Sequence, residues 1–376
     1  MCDTLCNPTA ANAIVTSVGC CKGGARAVTV LPSGGDELDV FAAYPPQSGE
    51  VTAQFAFGGN NFHDAARSRM NPDWPVLWVQ GDPCRGTRVW GTQSFNLTGK
   101  ILRRIELDGR TVGTCWTGEG ADYCLLAGIL PADLSASRGE QTYSNFVQME
   151  AALRKAGMDF SHVARTWLYL DLLLDWYDEF NEARTRFFQE RGVFERMVPA
   201  STGIGGSNPH GAALISAVLA VRPHDERVRV SEVASPLQCP ATEYRSSFSR
   251  AVEIASPEQR LLMISGTASI APGGESLHAD DTRKQIHLTL DVVEAILKSR
   301  GMNWKDTTRA IGYFYDIAAL PVYEQCCRER GIPALPMLPV HATVCRNDLL
   351  FEIELDAVAK HGGSANGGGC QCRHAE

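Results

Sequence analysis

The sequence predicts an α+β protein of two tandem domains, each with its helices packed on one face of a sheet. Three observations carry this: a long internal repeat, the order of elements inside each copy, and a composition sufficient for a large core. Residues 141–158 and 285–302 match at an offset of 144, keeping Gln141/Gln285, Glu150/Glu294, Leu153/Leu297, Gly157/Gly301 and Met158/Met302 in step. The same offset continues through Arg165/Arg309 and Tyr169/Tyr313. A period this long signals duplicated domains rather than a solenoid. Each copy reads strands, helix, strand, helix, strand, which places the helices together on one sheet face.

Along the chain, residues 1–50 are rich in Gly, Ala, Ser, Thr and Pro and read as an N-terminal segment, a mobile tail followed by one or two strands. The first domain is expected over 51–230. Apolar residues at helical spacing over 141–157 end at Gly157, a stop that tolerates the left-handed backbone. A strand over 163–170, a helix over 176–190 ended by Gly192, and a strand over 212–221 follow. Pro223-His-Asp-Glu-Arg is a polar connection, and the boundary falls between 222 and 235. The second domain, 231–362, repeats the order: a helix from 285 to Gly301, a strand over 307–315, a helix over 321–330 ended by Gly331, and a last strand over 341–355. From Gly363 the Gly-rich composition predicts a flexible tail to 376.

The 376 residues are 44% hydrophobic and 21% charged, which excludes a disordered chain. A net charge of −8 without a basic block excludes a dedicated nucleic-acid binder. No apolar run approaches the ~20 residues of a membrane span, and the first residues lack the positive start of a secretory signal. A cytoplasmic protein is expected. The 13 cysteines, an odd number, fit reduced thiols better than a disulfide framework. Cys2/Cys6, Cys20-Cys21 and Cys370-Gln371-Cys372 lack the paired spacing of a zinc site, and the sequon Asn96-Leu97-Thr98 means nothing without secretion. No metal and no cofactor are expected. Gly203-Ile-Gly205-Gly206 lacks the Lys-Ser/Thr of a phosphate loop and reads as a turn.

Several residues could carry chemistry. Tyr177 and Arg184 lie seven apart, two turns on one helical face, and could point together into a cleft or onto a solvated surface. Arg250, in Ser247-Phe-Ser-Arg-Ala, sits in an alternating stretch that could carry it on a strand. Tyr244 and Arg245 precede it. Period-two alternation puts Glu352 and Glu354 on one face of the last strand and Phe351 and Ile353 on the other. That face is either a cleft wall or a solvated sheet surface. A desolvated carboxyl there would have a raised pKa and could deliver protons. Cys345, seven residues before Glu352, is by residue type a small core hydrophobe.

Leu261-Leu-Met-Ile-Ser-Gly266-Thr-Ala-Ser, the helix at Gln285, Gly301-Met-Asn-Trp and Asp348-Leu-Leu-Phe-Glu352-Ile-Glu354 resemble the Rid (YjgF) family. These are small α+β proteins of chorismate-mutase-like topology that assemble as trimers with ligand sites in clefts between subunits. The family's deaminases hold the substrate carboxylate with an Arg before the last strand, where this chain has Leu335-Pro336-Met337. Arg165-Thr-Trp, Trp176-Tyr177-Asp-Glu-Phe-Asn181-Glu-Ala-Arg184, Pro199-Ala-Ser-Thr-Gly203, Phe248-Ser-Arg250-Ala and Ile264-Ser-Gly266-Thr-Ala-Ser269 together resemble the chorismatases, single chains with two Rid-like halves.

That resemblance implies cleavage of chorismate to 3-hydroxybenzoate and pyruvate, without a cofactor, near the inter-domain cleft. It implies Glu352 as the proton-transfer residue and Cys345 as the residue steering the product. It places Tyr177, Arg184, Tyr244, Arg250, Gly266 and Ala268 with the substrate and leaves Glu354 structural. The partner expected is a small molecule, with no nucleic acid or membrane, and a homo-oligomer is left open. Two other classes share the fold: an imine deaminase of the Rid kind, with Arg346 or another Arg replacing the missing one, and a non-catalytic small-ligand-binding protein.

Overall fold

The computed structural model describes residues 11–20, 23–32, 37–41, 49–70, 72–81, 89–118, 120–244 and 246–360. The terminal tail expected over 363–376 and the first ten residues lie outside them. The chain forms strands β1 (Ala11–Cys20), β2 (Gly23–Pro32) and β3 (Glu50–Gly58), helix α1 (His63–Met70), then β4 (Val76–Gly81) and β5 (Val89–Leu97). It continues with β6 (Arg103–Leu107), β7 (Arg110–Thr117), β8 (Ala121–Ile129), α2 (Arg138–Lys155), β9 (Val163–Leu170), α3 (Tyr177–Glu190), β10 (Ala200–Ser207) and β11 (Leu214–Pro223). The last stretch is β12 (Arg229–Val233), β13 (Ala251–Ala255), β14 (Gln259–Ala268), α4 (Thr282–Ser299), β15 (Thr307–Phe314), α5 (Leu320–Glu329), β16 (Met337–His341) and β17 (Phe351–Lys360).

Two units share one topology, with strand orders β6-β7-β8-β11-β9-β10 and β12-β13-β14-β17-β15-β16. Neighbours are antiparallel except the last pair of each, β9/β10 and β15/β16. These are the two copies that the repeat predicts. Before them the order β1-β2-β5-β3-β4, with β3 and β4 parallel, repeats the pattern; among the described residues it has no counterpart of the first edge strand, and only a short 3-10 helix, Glu37–Phe41, follows the hairpin. The stretch 51–230 therefore holds parts of two units. A short bridge, Gly206↔Gly81, joins the first two sheets into one of eleven strands.

The residues matched by the repeat do matched work. Ser137 and Asp281 cap α2 and α4, and Gly157 and Gly301 turn the chain away at φ +72° and +66°. Gln141 accepts from the Ala213 amide and Gln285 from the Leu350 amide, each tying a helix start to the last strand of its unit. Glu150 takes Arg191 and Glu294 takes Arg330, so each first helix is clamped to the end of the second.

Three outer cores lie between helices and sheets. Phe146, Leu153 and Phe187 fill that of the second unit, Leu290, Ile296 and Phe351 that of the third, and Val28, Phe41 and Trp78 a smaller one in the first. Burying each such side chain contributes roughly 1.5–3 kcal/mol. A fourth core draws on all three sheets: Phe55, Phe57, Trp167, Tyr169, Ile311 and Tyr313 are all fully or almost fully buried. Around it each unit lays its edge strand on the next: β4 on β8, β10 on β14, β16 on β2 and β5. The arrangement is a pseudo-threefold ring within one chain, helices outside and sheets inside. No helix among the described residues is long and apolar enough to cross a membrane.

Two expectations are corrected. The last strand of the third unit is not continuous over 341–355: β16 ends at His341, residues 342–350 form a loop, and β17 begins at Phe351. The apolar alternation there is real, but Gln285 bonds Asp348 O and Leu350 N, satisfying the backbone without a strand partner. Gly203-Ile-Gly205-Gly206, expected as a turn, lies within β10 and pairs with β9, while the polar connection over 223–227 does link β11 to β12.

Candidate active site

The junction of the second and third units opens a cleft. Ser201 N donates to Ser265 Oγ at 2.9 Å, Gly266 N to Thr202 Oγ1 at 3.0 Å and Gly205 N to Thr343 O at 2.8 Å, stitching β10 to the third unit. Tyr177 and Arg184 reach the cleft from α3, Ser201 and Gly203 from β10, Gly266 and Ala268 from β14, and Glu352 from β17. Tyr244, Ser246, Phe248 and Arg250 close it from the segment before β13, and Cys345, Arg346 and Leu349 from the 342–350 loop. All eight residues singled out in the sequence line this one cleft. Arg245 lies outside the described residues.

The residues arrive by routes that the sequence only partly indicates. Arg250 precedes β13 rather than lying on a strand, held where Ser249 N bonds Pro199 O. Cys345 sits in the loop, so strand alternation does not orient its thiol. Gly266 is required for room: a Cβ there would lie 2.0 Å from Glu352 Oε1. Ser201, Gly203, Ser246, Phe248, Ile270 and Leu349 also line the cleft; Ser201, Gly203, Phe248 and Leu349 lie within stretches that carry the resemblance but were not singled out, and nothing in the sequence pointed to Ser246 or Ile270.

Both arginines are buried without an acid. Arg184 is 2% exposed, donates from Nη2 to Asn181 Oδ1 at 2.6 Å, and lies over the Phe180 ring. Arg250 donates from Nε to Cys239 O at 3.0 Å. Arg184 Nε and Arg250 Nη2 have no hydrogen-bond partner, and neither residue forms an ion pair among the described residues. Two desolvated cations facing one cleft are a receptor for carboxylates. Arg346 is committed elsewhere, donating to Gly274 O at 2.8 Å and lying over the Tyr244 ring.

Glu352 faces them as an acid. Burial, then the neighbouring Glu354 carboxylate, pushes its carboxyl up to about 8, against the pull of Arg165 and Arg250. Glu354 behaves oppositely although it too is buried. It receives Arg165 Nη2 at 2.8 Å, Arg309 Nη2 at 2.7 Å and Trp167 Nε1 at 2.9 Å, and stays ionised. It points into the centre of the ring, not into the cleft. Two carboxylates two residues apart thus have opposite charge states set by their surroundings. Burial and then Glu352 push the Cys345 thiol up to about 12, so it is neutral, and Tyr177 beside it is likewise held in its neutral form.

The register also relocates the question raised by Met337. Met337 pairs with Ala310 and Ser201 with Thr166, so the two occupy the same place in their units. The strand that feeds this cleft is β10, and its residue there is Ser201. Met337 belongs to a different junction.

A family model described as Endoribonuclease L-PSP matches residues 240–359. A chorismatase of Streptomyces hygroscopicus is 27% identical over 294 residues, covering 71% of this chain and 78% of that protein. A 3-hydroxybenzoate synthase of the same organism is 26% identical, covering 65% and 76%. A crystal structure of a chorismatase superposes with a TM-score of 0.64 at 19% identity, over 84% of this chain and 96% of the other.

Proposed function

Because the chain is a relative of the chorismatases within the Rid-like superfamily, we propose that it cleaves chorismate to 3-hydroxybenzoate and pyruvate. The observation that carries the reading is a buried carboxyl, Glu352, pushed toward its acid form by burial and by Glu354, facing two buried arginines without acid partners, Arg184 and Arg250. Chorismate offers what each group lacks: two carboxylates for the cations and an electron-rich enol ether for the acid.

In this reading Glu352 gives its proton to the methylene carbon of the enolpyruvyl group. The C3–O bond breaks as the neighbouring C4 hydroxyl oxygen closes on C3, pyruvate leaves, and the hydroxyl proton returns to Glu352. The ring oxide then opens at C4, its oxygen takes a proton and the C3 hydrogen leaves. Cys345, a neutral thiol at rest, supplies the first proton and receives the second. No net water is consumed, and the atoms of chorismate equal those of the two products. General acid–base groups of this kind contribute roughly 10²–10⁴-fold each.

The test is incubation with chorismate, without added metal or nucleotide, with pyruvate detection and chromatography of the aromatic fraction. Pyruvate together with 3-hydroxybenzoate is expected. Folded protein that releases no pyruvate at millimolar chorismate would overturn the reading.

A further inference from the structure

A second cavity, about 360 Å³ and sharing no lining residue with the Glu352 cleft, lies on the pseudo-threefold axis. Its wall is built from equivalent strand positions of the three sheets. Ala27 pairs with Phe95, Leu125 with Leu219 and Met263 with Asp356; one step outward, Ala25 pairs with Leu97, Tyr123 with Val221 and Leu261 with Val358. The first unit therefore places alanines where the other two place Leu125 and Tyr123, or Met263 and Leu261. Those missing side chains are the space.

The lining is unlike a packed interior. Phe95, Leu97, Trp116, Tyr123, Leu219, Leu261 and Val358 all remain partly exposed toward the opening. Trp116 and Tyr123 stack at 5.5 Å with 5° between their planes, giving one flat aromatic wall. The floor is polar. Arg309 Nε holds Asp356 Oδ2 at 2.8 Å, while Asp356 Oδ1 has only a 3.5 Å contact and remains available as an acceptor. Arg26, Lys100 and Glu258 stand among the lining residues, and neither cation forms an ion pair among the described residues. Apolar walls of this extent with a few polar groups, in a volume of roughly 300–1,000 Å³, are the usual form of a small-molecule site.

We propose that the axial cavity is a ligand site for a flat, largely apolar aromatic anion, its ring against Trp116 and Tyr123 and its charge toward Arg26 and Lys100. The site is independent of the reaction proposed for the Glu352 cleft. Its floor nonetheless touches that cleft's support, since Arg309 also bonds Glu354.

The probe is 8-anilinonaphthalene-1-sulfonate, titrated into the full chain and followed by its emission. Saturable binding of one molecule per chain with a blue shift is expected. Ala27→Leu restores the side chain that the second unit carries at Leu125 and should weaken binding at least tenfold, with an unchanged circular dichroism spectrum. Arg184→Ala, in the other cleft, should leave the affinity unchanged. Lys100→Glu, an exposed substitution that does not threaten folding, should weaken the sulfonate about fivefold, as expected of a screened surface charge. It should not affect the neutral N-phenyl-1-naphthylamine. Absence of saturable binding, equal affinity in Ala27→Leu, loss of binding in Arg184→Ala, or indifference of the sulfonate to Lys100→Glu would each overturn the proposal.

Discussion

The hydroxyls of Tyr169 and Tyr313, 144 residues apart in the chain, hydrogen-bond each other at 2.8 Å in the centre of the molecule. They stand at the same position of β9 and β15, opposite Ile215 and Glu352 respectively. Phe57, on β3 of the shortened unit, packs edge-on against Tyr169 at 5.7 Å. The repeat seen in the sequence is thus a contact in space, and Glu352 stands one strand away from it.

Tyr313→Phe should destabilise the fold by about 1–3 kcal/mol, because the Tyr169 hydroxyl is left buried without its partner. The double variant with Tyr169→Phe should cost less than the sum of the singles. Denaturant unfolding of the four proteins measures the coupling.

Glu352→Gln should retain chorismate binding and lose roughly 10²–10⁴-fold in turnover, since the amide fills the same space without a transferable proton. Calorimetric binding beside a pyruvate assay separates the two effects. Full turnover in the variant would place the acid elsewhere.

With the Glu352 carboxyl near 8, its donating form is dominant at neutral pH and lost above. Turnover should be flat on the acid side of that value and fall about tenfold per pH unit beyond it. The stability effect has its own window. Between the ordinary Glu value of 4.5 and about 8 the unfolded chain releases this proton while the folded chain keeps it. This residue's contribution therefore weakens as pH rises through that range and levels off above it. Rate and unfolding profiles across pH 5–9 check both signs.

Arg184→Ala should raise the chorismate KM by roughly 10- to 100-fold, the worth of a hydrogen-bonded charge pair to one carboxylate. Alanine's high helix propensity should keep α3 intact, which thermal unfolding verifies. Unchanged KM would remove it from the binding set.

Cys345→Ala should shift product from 3-hydroxybenzoate toward the dihydrodiol while pyruvate release continues. In the proposed reaction Glu352 acts at the common first step and Cys345 at the partition after it. Chromatography decides, and an unchanged 3-hydroxybenzoate fraction rejects the steering role.

What was legible followed from side chains that do the same job twice. Gln141/Gln285 and Glu150/Glu294 are fixed by matching local contacts, so sequence alone reveals the two full units. The β1–β5 unit keeps the topology but not the side chains: among the described residues only a short 3-10 helix, Glu37–Phe41, follows its hairpin, and alanines stand at 25 and 27. Strand pairing leaves little trace in one sequence when no repeated side chain marks it. For the same reason Met337 misleads. Its place in the third unit is plain, but which edge strand faces which cleft depends on how the units pack around the axis. Cys345 is legible as a residue and not as a position, because a loop rather than a pleat sets it.

The cleft draws Tyr177 and Arg184 from one unit and Glu352 from the next, and a single polypeptide carries both. A site shared between separate subunits dissolves when its protein is diluted, since assembly then depends on concentration. Here its two halves are tethered, so the cleft stays whole however few molecules are present. The covalent link also lifts the demand that all junctions be identical. One can keep the acid while another, lacking any counterpart of Glu352 at Ile215, is free to pack or to hold something else.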